Sequence, residues 1–191
     1  MAHFAEVIST VENTPTHETI VLGGGCFWCV EAVFVELKGV HRAVSGYSGG
    51  SEATANYEAV CSKQTDHIEV VLVEFDPSVI TARQILEVFF TTHDPTTPNR
   101  QGNDVGPQYR SAVFYTTTEQ QELAKEVMAT VVPDLYGAPA VTEVRPYETF
   151  YAAEAYHQDY YSKVGSRNSY CSFVITPKVS KFRKQFAELR K

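Results

Sequence analysis

Hydrophobic residues along the chain recur at two different spacings, and the changes between them mark the predicted elements. Short runs of apolar and β-branched residues predict strands, whereas apolar residues three or four positions apart predict helices. In chain order the clearest segments are a strand at about 19–22, a helix after Cys26 that stops near Gly39, strands at 42–47 and 68–75, a helix at about 82–92, and a strand at 111–116. The order β-α-β-β-α-β is the split βαβ pattern, so the sequence predicts an α+β, ferredoxin-like sandwich with helices covering the sheet.

Weaker patterns fill the remainder of the chain. Two long loops rich in turn residues are predicted at 48–60 and 94–110. A loop as long as the second is more often functional than idle. The later elements are predicted as a helix opened by a Thr118–Gln121 capping box and ending near 131, a strand at 141–145, an extra helix at 152–163 and a basic, helical end at 176–191.

Composition places the chain among globular proteins and narrows its partners. Of the 191 residues, 43% are hydrophobic, and the formal net charge of −7 argues against nucleic-acid binding. No apolar run approaches the ~18 residues that span a bilayer. The first residues lack the charged and apolar regions of a secretory signal. We expect a cytoplasmic protein that binds neither nucleic acids nor membranes, and we take it to be a monomer.

Cys26 is the strongest candidate for chemistry, because it follows three glycines at a predicted strand-to-helix turn. A cysteine attacks as the thiolate, and the unpaired N–H groups and dipole of a helix N-terminus favour negative charge there. Because Gly25 has no side chain, the backbone at this position can approach the reacting atom closely. A small buried structural cysteine is the alternative interpretation, and the glycine-rich turn favours the reactive one. Phe27 and Trp28 beside the thiol could form a wall for an apolar group such as a methyl.

Several motifs in register resemble the peptide methionine sulfoxide reductases of the A type, the MsrA family. The resemblance covers about residues 18–178, which we interpret as a single catalytic domain between an N-terminal arm at 1–17 and a basic C-terminal tail at 179–191. The matching segments are Gly24-Gly25-Cys26-Phe27-Trp28, Asn56-Tyr57-Glu58, Asp66-His67-Ile68-Glu69, the loop from Gln101 to Ser111, Tyr156-His157-Gln158-Asp159-Tyr160, and Asn168-Ser169-Tyr170-Cys171.

The resemblance implies thiol-dependent reduction of methionine S-sulfoxide, with Cys26 as the nucleophile that takes the oxygen. A protonated acid must accompany it, and Glu69 is the best candidate, because partial burial in a strand of Ile and Val raises a carboxyl pKa. Tyr57 and Tyr109 carry O–H donors that could hold the sulfoxide oxygen, and Asp104 could orient a water or hydroxyl. The remaining expected substrate-binding residues, besides Phe27 and Trp28, are Gly25, His157 and Tyr160.

Uptake of the oxygen would convert Cys26 to a sulfenic acid, which condenses with a nearby thiol to a disulfide. Cys29 and Cys171 are the two candidates for the resolving thiol. The sequence favours Cys171 by a narrow margin, and a relay through both stays open. Cys29 stands where the family commonly has glycine, so the order of the steps is open. No bound cofactor is expected, and thioredoxin or another dithiol would restore the thiols. Free and peptide-bound methionine sulfoxide are both expected substrates.

Three other protein classes could account for some of the cysteines. A thioredoxin-like disulfide exchanger could use Cys26-x-x-Cys29, although Phe-Trp inside the motif fits a substrate wall better. A structural zinc site would use all four cysteines, but such sites usually offer two ligand pairs and the sequence contains one. A cysteine hydrolase would need a histidine base, and none of the six histidines stands in an identifiable triad context.

Overall fold

The computed structural model describes residues 6–191. It is an α+β protein, which confirms the predicted class. The strands are β1 Val7–Ile8, β2 Glu18–Gly23, β3 Val40–Ser48, β4 Ile68–Phe75, β5 Arg100–Gln101, β6 Asp104–Val105, β7 Ala112–Tyr115, β8 Glu143–Pro146 and β9 Phe150–Ala152. The α-helices are α1 Phe27–Phe34, α2 Tyr57–Cys61, α3 Ala82–Thr92, α4 Thr118–Tyr136, α5 Tyr160–Val164 and α6 Thr176–Gln185. No helix within residues 6–191 is long and apolar enough to cross a membrane.

Seven strands form one mixed sheet in the order β1-β9-β3-β4-β2-β7-β8. Neighbouring strands are antiparallel, except that β7 and β8 run parallel. The central strand β4 has alternating side chains on both faces. Val71 and Val73 pack into the larger core with the helices, whereas Val70 and Leu72 belong to the smaller core on the opposite face. Burial on both faces explains why 68–75 reads as a nearly continuous apolar run.

Both ends of the described chain pack against the domain. Strand β1 pairs with β9, placing part of the predicted arm at the sheet edge, while residues 1–5 of that arm lie outside the described residues. At the other end, α6 runs across the boundary predicted at 178. Its Val179 and Phe182 are fully buried, so apolar positions among the basic residues anchor this helix to the core.

Three details of the predicted elements are wrong. The segment 152–163 is not one helix, because it holds the end of β9, a 3-10 turn and only then α5. Asp159 precedes α5 with a left-handed φ of 52°, which interrupts helical geometry. The predicted loop 48–60 contains the start of α2. Helix α4 is capped one residue earlier than predicted, since the Thr117 hydroxyl accepts from Gln120 N–H at 3.1 Å.

Candidate active site

The turn between β2 and α1 places Cys26 at the helix N-terminus. Gly25 has φ +89°, and a Cβ there would lie 2.5 Å from the Gln101 side chain, so only glycine fits the turn. Cys26 occupies the N-cap position of α1. Its carbonyl oxygen accepts from Cys29 N–H at 3.0 Å, which closes the first turn of the helix. The thiol is therefore held by a strand on one side and a helix on the other.

Beside Cys26 lies a cavity of about 210 Å³, large enough for a thioether side chain. Its residues come from the start of helix α1, strand β4, the first residue of α2, strand β6, a 3-10 turn and the segment before Cys171. They are Cys26, Phe27, Trp28, Tyr57, Glu69, Asp104, Tyr109 and Tyr170. The structure thus brings together the nucleophile, the acid, both phenols and the aspartate named from the sequence.

Glu69 lies at the start of β4 with 2% of its surface exposed. One carboxyl oxygen accepts a hydrogen bond from Phe27 N–H at 3.1 Å. Burial outweighs this stabilising bond and raises the pKa of Glu69 to about 8. The carboxyl is consequently protonated at neutral pH and can donate a proton into the cavity.

Two phenols reach the cavity from separate segments of the chain. Tyr57 is the first residue of α2, whose N-cap Asn56 accepts from Ala59 N–H at 3.0 Å. Tyr109 ends a 3-10 turn that begins just after Gly106. Burial raises the pKa of Tyr57 and of Tyr109, so both phenols keep their protons and act as donors.

An aromatic wall supports the cavity around Trp28. Tyr160 stacks on the indole with ring centroids 3.8 Å apart and an angle of 6° between the planes. The indole N–H donates to His157 Nδ1 at 3.1 Å. His157, Tyr160 and Gly25 do not line the cavity; the structure places the first two behind Trp28 and the third in the preceding turn.

Cys26 and Cys29 stand three residues apart, at the N-cap and in the first turn of α1. Each thiol affects the pKa of the other. Burial raises the pKa of Cys26, and the neighbouring Cys29 and Glu69 raise it further. The predicted lowering of the Cys26 pKa is therefore wrong, because desolvation outweighs the helix N-terminus. A hydrogen bond from Cys26 instead lowers the pKa of Cys29 to about 7. Cys29 is therefore the more readily ionised thiol of the two.

All four cysteines are free thiols. Cys171 begins a short π-helical turn, Cys171–Ile175, and its side chain is fully buried. It does not line the cavity. Burial raises the pKa of the Cys171 thiol most, and the negative charge of an ionised Cys29 raises it further. Cys29 is therefore close enough to influence the pKa of both Cys26 and Cys171.

Two polar residues of the site were missed from the sequence. Tyr170 lines the cavity and donates to Asp104 at 2.5 Å; its place beside Cys171 in the matched segment was the available signal. Glu154 accepts from Tyr57 N–H at 2.8 Å and from Tyr47 O–H at 2.9 Å. No sequence signal distinguished Glu154, because its contacts join distant parts of the chain.

Two further observations limit the site. A larger groove of about 680 Å³ is lined by Glu154, Tyr156 and Gln158, but no cysteine of the described chain lines it. Within residues 6–191 no group of three or more His, Cys, Asp or Glu side chains is arranged to hold a metal ion. The chemistry is therefore assigned to the smaller cavity and its thiol pair.

The fold and this cavity define a thiol-dependent oxidoreductase. The chain matches the family model described as peptide methionine sulfoxide reductase over residues 18–190. A relative from Sulfolobus acidocaldarius, "Peptide methionine sulfoxide reductase MsrA", is 54% identical over 171 residues, covering 90% of this chain and 96% of that protein. The chain belongs to the peptide methionine sulfoxide reductase family, which confirms the resemblance and the reductase activity that it implies.

Solved structures support the same family. Reduced Mxr1 from Saccharomyces cerevisiae is similar with a TM-score of 0.75 and 33% identity, covering 85% of this chain and 93% of that one. Mxr1 in complex with Trx2 has a TM-score of 0.52 and 24% identity, covering 79% of this chain and 90% of that one. The second likeness shows the fold alone.

Proposed function

We propose that this chain is a peptide-methionine (S)-S-oxide reductase in which Cys26 attacks the sulfoxide sulfur while Glu69 protonates the oxygen. The observation that carries this proposal is that a cysteine at a helix N-terminus and a protonated carboxyl line one cavity of about 210 Å³. Cys26 passes its proton to Cys29 as it attacks, because the pKa of Cys29 is the lower of the two. The hydroxyl then passes from the substrate sulfur to the Cys26 sulfur as the substrate S–O bond and the transient Cys26–substrate S–S bond break, which leaves methionine and Cys26 sulfenic acid.

The other lining residues bind the substrate. Phe27 and Trp28 offer apolar surface to the methyl and side-chain carbons of methionine sulfoxide. Tyr57 and Tyr109 donate hydrogen bonds to the oxygen, where negative charge develops before protonation. His157 and Tyr160 contact the indole of Trp28 outside the cavity and hold its orientation. The substrates are free methionine sulfoxide and oxidised methionine in proteins, so the cellular role is repair after oxidative damage.

Cys29 resolves the sulfenic acid first, and Cys171 then receives the disulfide. Cys29 is three residues from Cys26 on the same helix and has the lower thiol pKa, whereas the Cys171 side chain is fully buried away from the cavity. This order reverses the narrow preference drawn from the sequence. Thioredoxin is the reductant that returns the thiols, as the Trx2 complex of the yeast relative Mxr1 suggests.

Several wider assignments accompany this function. A cytoplasmic location suits chemistry that needs its thiols reduced. We also assign a monomer, with a catalytic domain that starts at residue 18. The unit β2-α1-β3-β4-α3-β7 is assigned as a ferredoxin-like split βαβ core. The strand order β3-β4-β2-β7, with antiparallel neighbours, supports that assignment.

Single-turnover reduction of a defined methionine sulfoxide, without external reductant, tests the proposal. The wild type should release up to two equivalents of methionine, because transfer of the disulfide to Cys29 and Cys171 frees Cys26 for a second attack, and Cys26→Ser should release none. Cys29→Ser should still complete its single turnover. A disulfide exchanger, the alternative function, would lose its activity with Cys29→Ser and would release no methionine from the sulfoxide.

A further inference from the structure

Tyr170 and Asp104 line the cavity but have no part in the proposed reduction step. The Tyr170 hydroxyl donates to a carboxylate oxygen of Asp104 at 2.5 Å. The same hydroxyl oxygen lies 4.0 Å from Cys29 Sγ, within hydrogen-bonding distance for sulfur. Since the phenol donates its proton to Asp104, its oxygen can accept from the Cys29 thiol once that thiol is protonated.

Cys29 needs a base at one particular moment. After the first step it carries the proton received from Cys26, and a neutral thiol is a poor nucleophile. It must lose this proton to attack the sulfenic sulfur of Cys26. Of the polar groups near its sulfur, Cys26 is then oxidised and Lys178 acts through its positive charge, whereas the Tyr170 hydroxyl, backed by Asp104, lies within hydrogen-bonding distance.

We infer that Tyr170 is a further catalytic residue, relaying the proton of Cys29 to Asp104 while the Cys26–Cys29 disulfide forms. The inference rests on the proposed function. The Cys29 S–H bond breaks as its proton moves to the phenol oxygen, and the phenol proton moves to the Asp104 carboxylate. The sulfur pair so released forms the S–S bond, the Cys26 S–O bond breaks, and the departing hydroxide is protonated by water. Asp104 then returns its proton to solvent.

The surroundings of the phenol require both protons to move together. Burial and the neighbouring thiols raise the pKa of Tyr170, so a free tyrosinate does not form at neutral pH. The ring is held edge-on to Trp28 with centroids 6.0 Å apart. Tyr170 N–H also donates to the Asn168 side chain at 2.8 Å, which fixes the backbone that carries the phenol. The relay is therefore set in place before the substrate is reduced.

The relay is tested with Tyr170→Phe, and Tyr161→Phe serves as a matched control. Tyr161 lies nearby on α5, and its hydroxyl pairs with Thr176 at 3.0 Å outside the cavity. In one rapid-quench series, methionine is quantified, Cys26 sulfenic acid is trapped with a 1,3-diketone, and the disulfide is identified by peptide mass. Cys29→Ser sets the sulfenic acid lifetime expected without resolution by that thiol.

Tyr170→Phe should lengthen the sulfenic acid lifetime on the order of 10²-fold, the lower end of general-base effects. The lifetime should shorten again as the pH rises, because hydroxide replaces the relay, and a packing defect would not respond in this way. Asp104→Asn should also lengthen it, and Tyr161→Phe should match the wild type. Disulfide closure at the wild-type rate in Tyr170→Phe would overturn the relay alone. Methionine formation by Cys26→Ser would instead overturn the proposed function beneath it.

Discussion

Replacing Glu69 tests the protonated acid of the site most sharply. With a pKa of about 8, roughly nine-tenths of the carboxyl is protonated at pH 7 and roughly one-tenth at pH 9. If the reduction step requires the protonated form, this group alone should slow the step about tenfold between these two pH values. The sign follows from burial, which favours the neutral acid, so the contribution is present below the pKa and is lost above it.

Glu69→Gln removes this titration but keeps an oxygen that can accept from Phe27 N–H. Glu69→Ala removes both, so about 10²- to 10⁴-fold slower reduction is expected at pH 7, with a smaller loss for the glutamine variant. The assay is single-turnover methionine release from pH 6 to 9. The ratio of wild-type to glutamine-variant rates cancels the part of the thiol ionisation that does not depend on the Glu69 charge. If this ratio stays constant from pH 7 to 9, Glu69 does not act as the acid.

Three other substitutions probe the turn, the wall and the relay of thiols. Gly25→Ala should destabilise the fold by about 1–3 kcal/mol more than Gly137→Ala in thermal unfolding. Both glycines have positive φ, but only at Gly25 would the new Cβ lie 2.5 Å from a neighbouring side chain. Equal losses of stability in the two variants would contradict the steric argument. Trp28→Ala should raise KM for a sulfoxide peptide by about tenfold or more, in steady-state assays, through lost apolar contact, and an unchanged KM would exclude the indole from binding. Cys171→Ser should still form the first disulfide, seen by peptide mass, but recycle more slowly with thioredoxin; absence of that disulfide would make Cys171 the first resolving thiol.

The central strands were predictable because local pattern and final environment agree. The run 68–75 is apolar at nearly every position, and β4 occupies the same residues at the centre of the sheet. Helix α3 also matches its predicted bounds, 82–92, with a capping box between Thr81 and Gln84. Propensity, periodicity and capping favour one structure at each of these positions.

The segment 152–163 could not be predicted in the same way, because distant contacts decide its conformation. Asp159 adopts left-handed geometry while its N–H donates to the buried Glu31 carboxylate at 2.9 Å. That bond spans 128 residues of sequence. The helical appearance of the segment comes from its alanines and tyrosines, and tertiary structure overrides that weak preference.

In the candidate site too, features set by local motifs were predictable and features set by distant contacts were not. Cys26 and Glu69 stand in local motifs whose chemistry can be interpreted from the sequence alone. The pKa of Cys26 could not be predicted, because it depends on how completely the folded chain removes the thiol from water. Tyr170 was missed because its role requires the C-terminal segment to fold back onto Asp104, 66 residues away.

Transfer of the substrate oxygen to Cys26 is best measured with methionine sulfoxide labelled with heavy oxygen. The variant should carry both Cys29→Ser and Cys171→Ser, so that these two thiols cannot expel the oxygen. After one turnover, mass spectrometry of the Cys26 peptide should show one added oxygen that carries the label. Release of methionine with an unmodified Cys26 peptide, or with unlabelled oxygen on it, would contradict direct transfer to this sulfur.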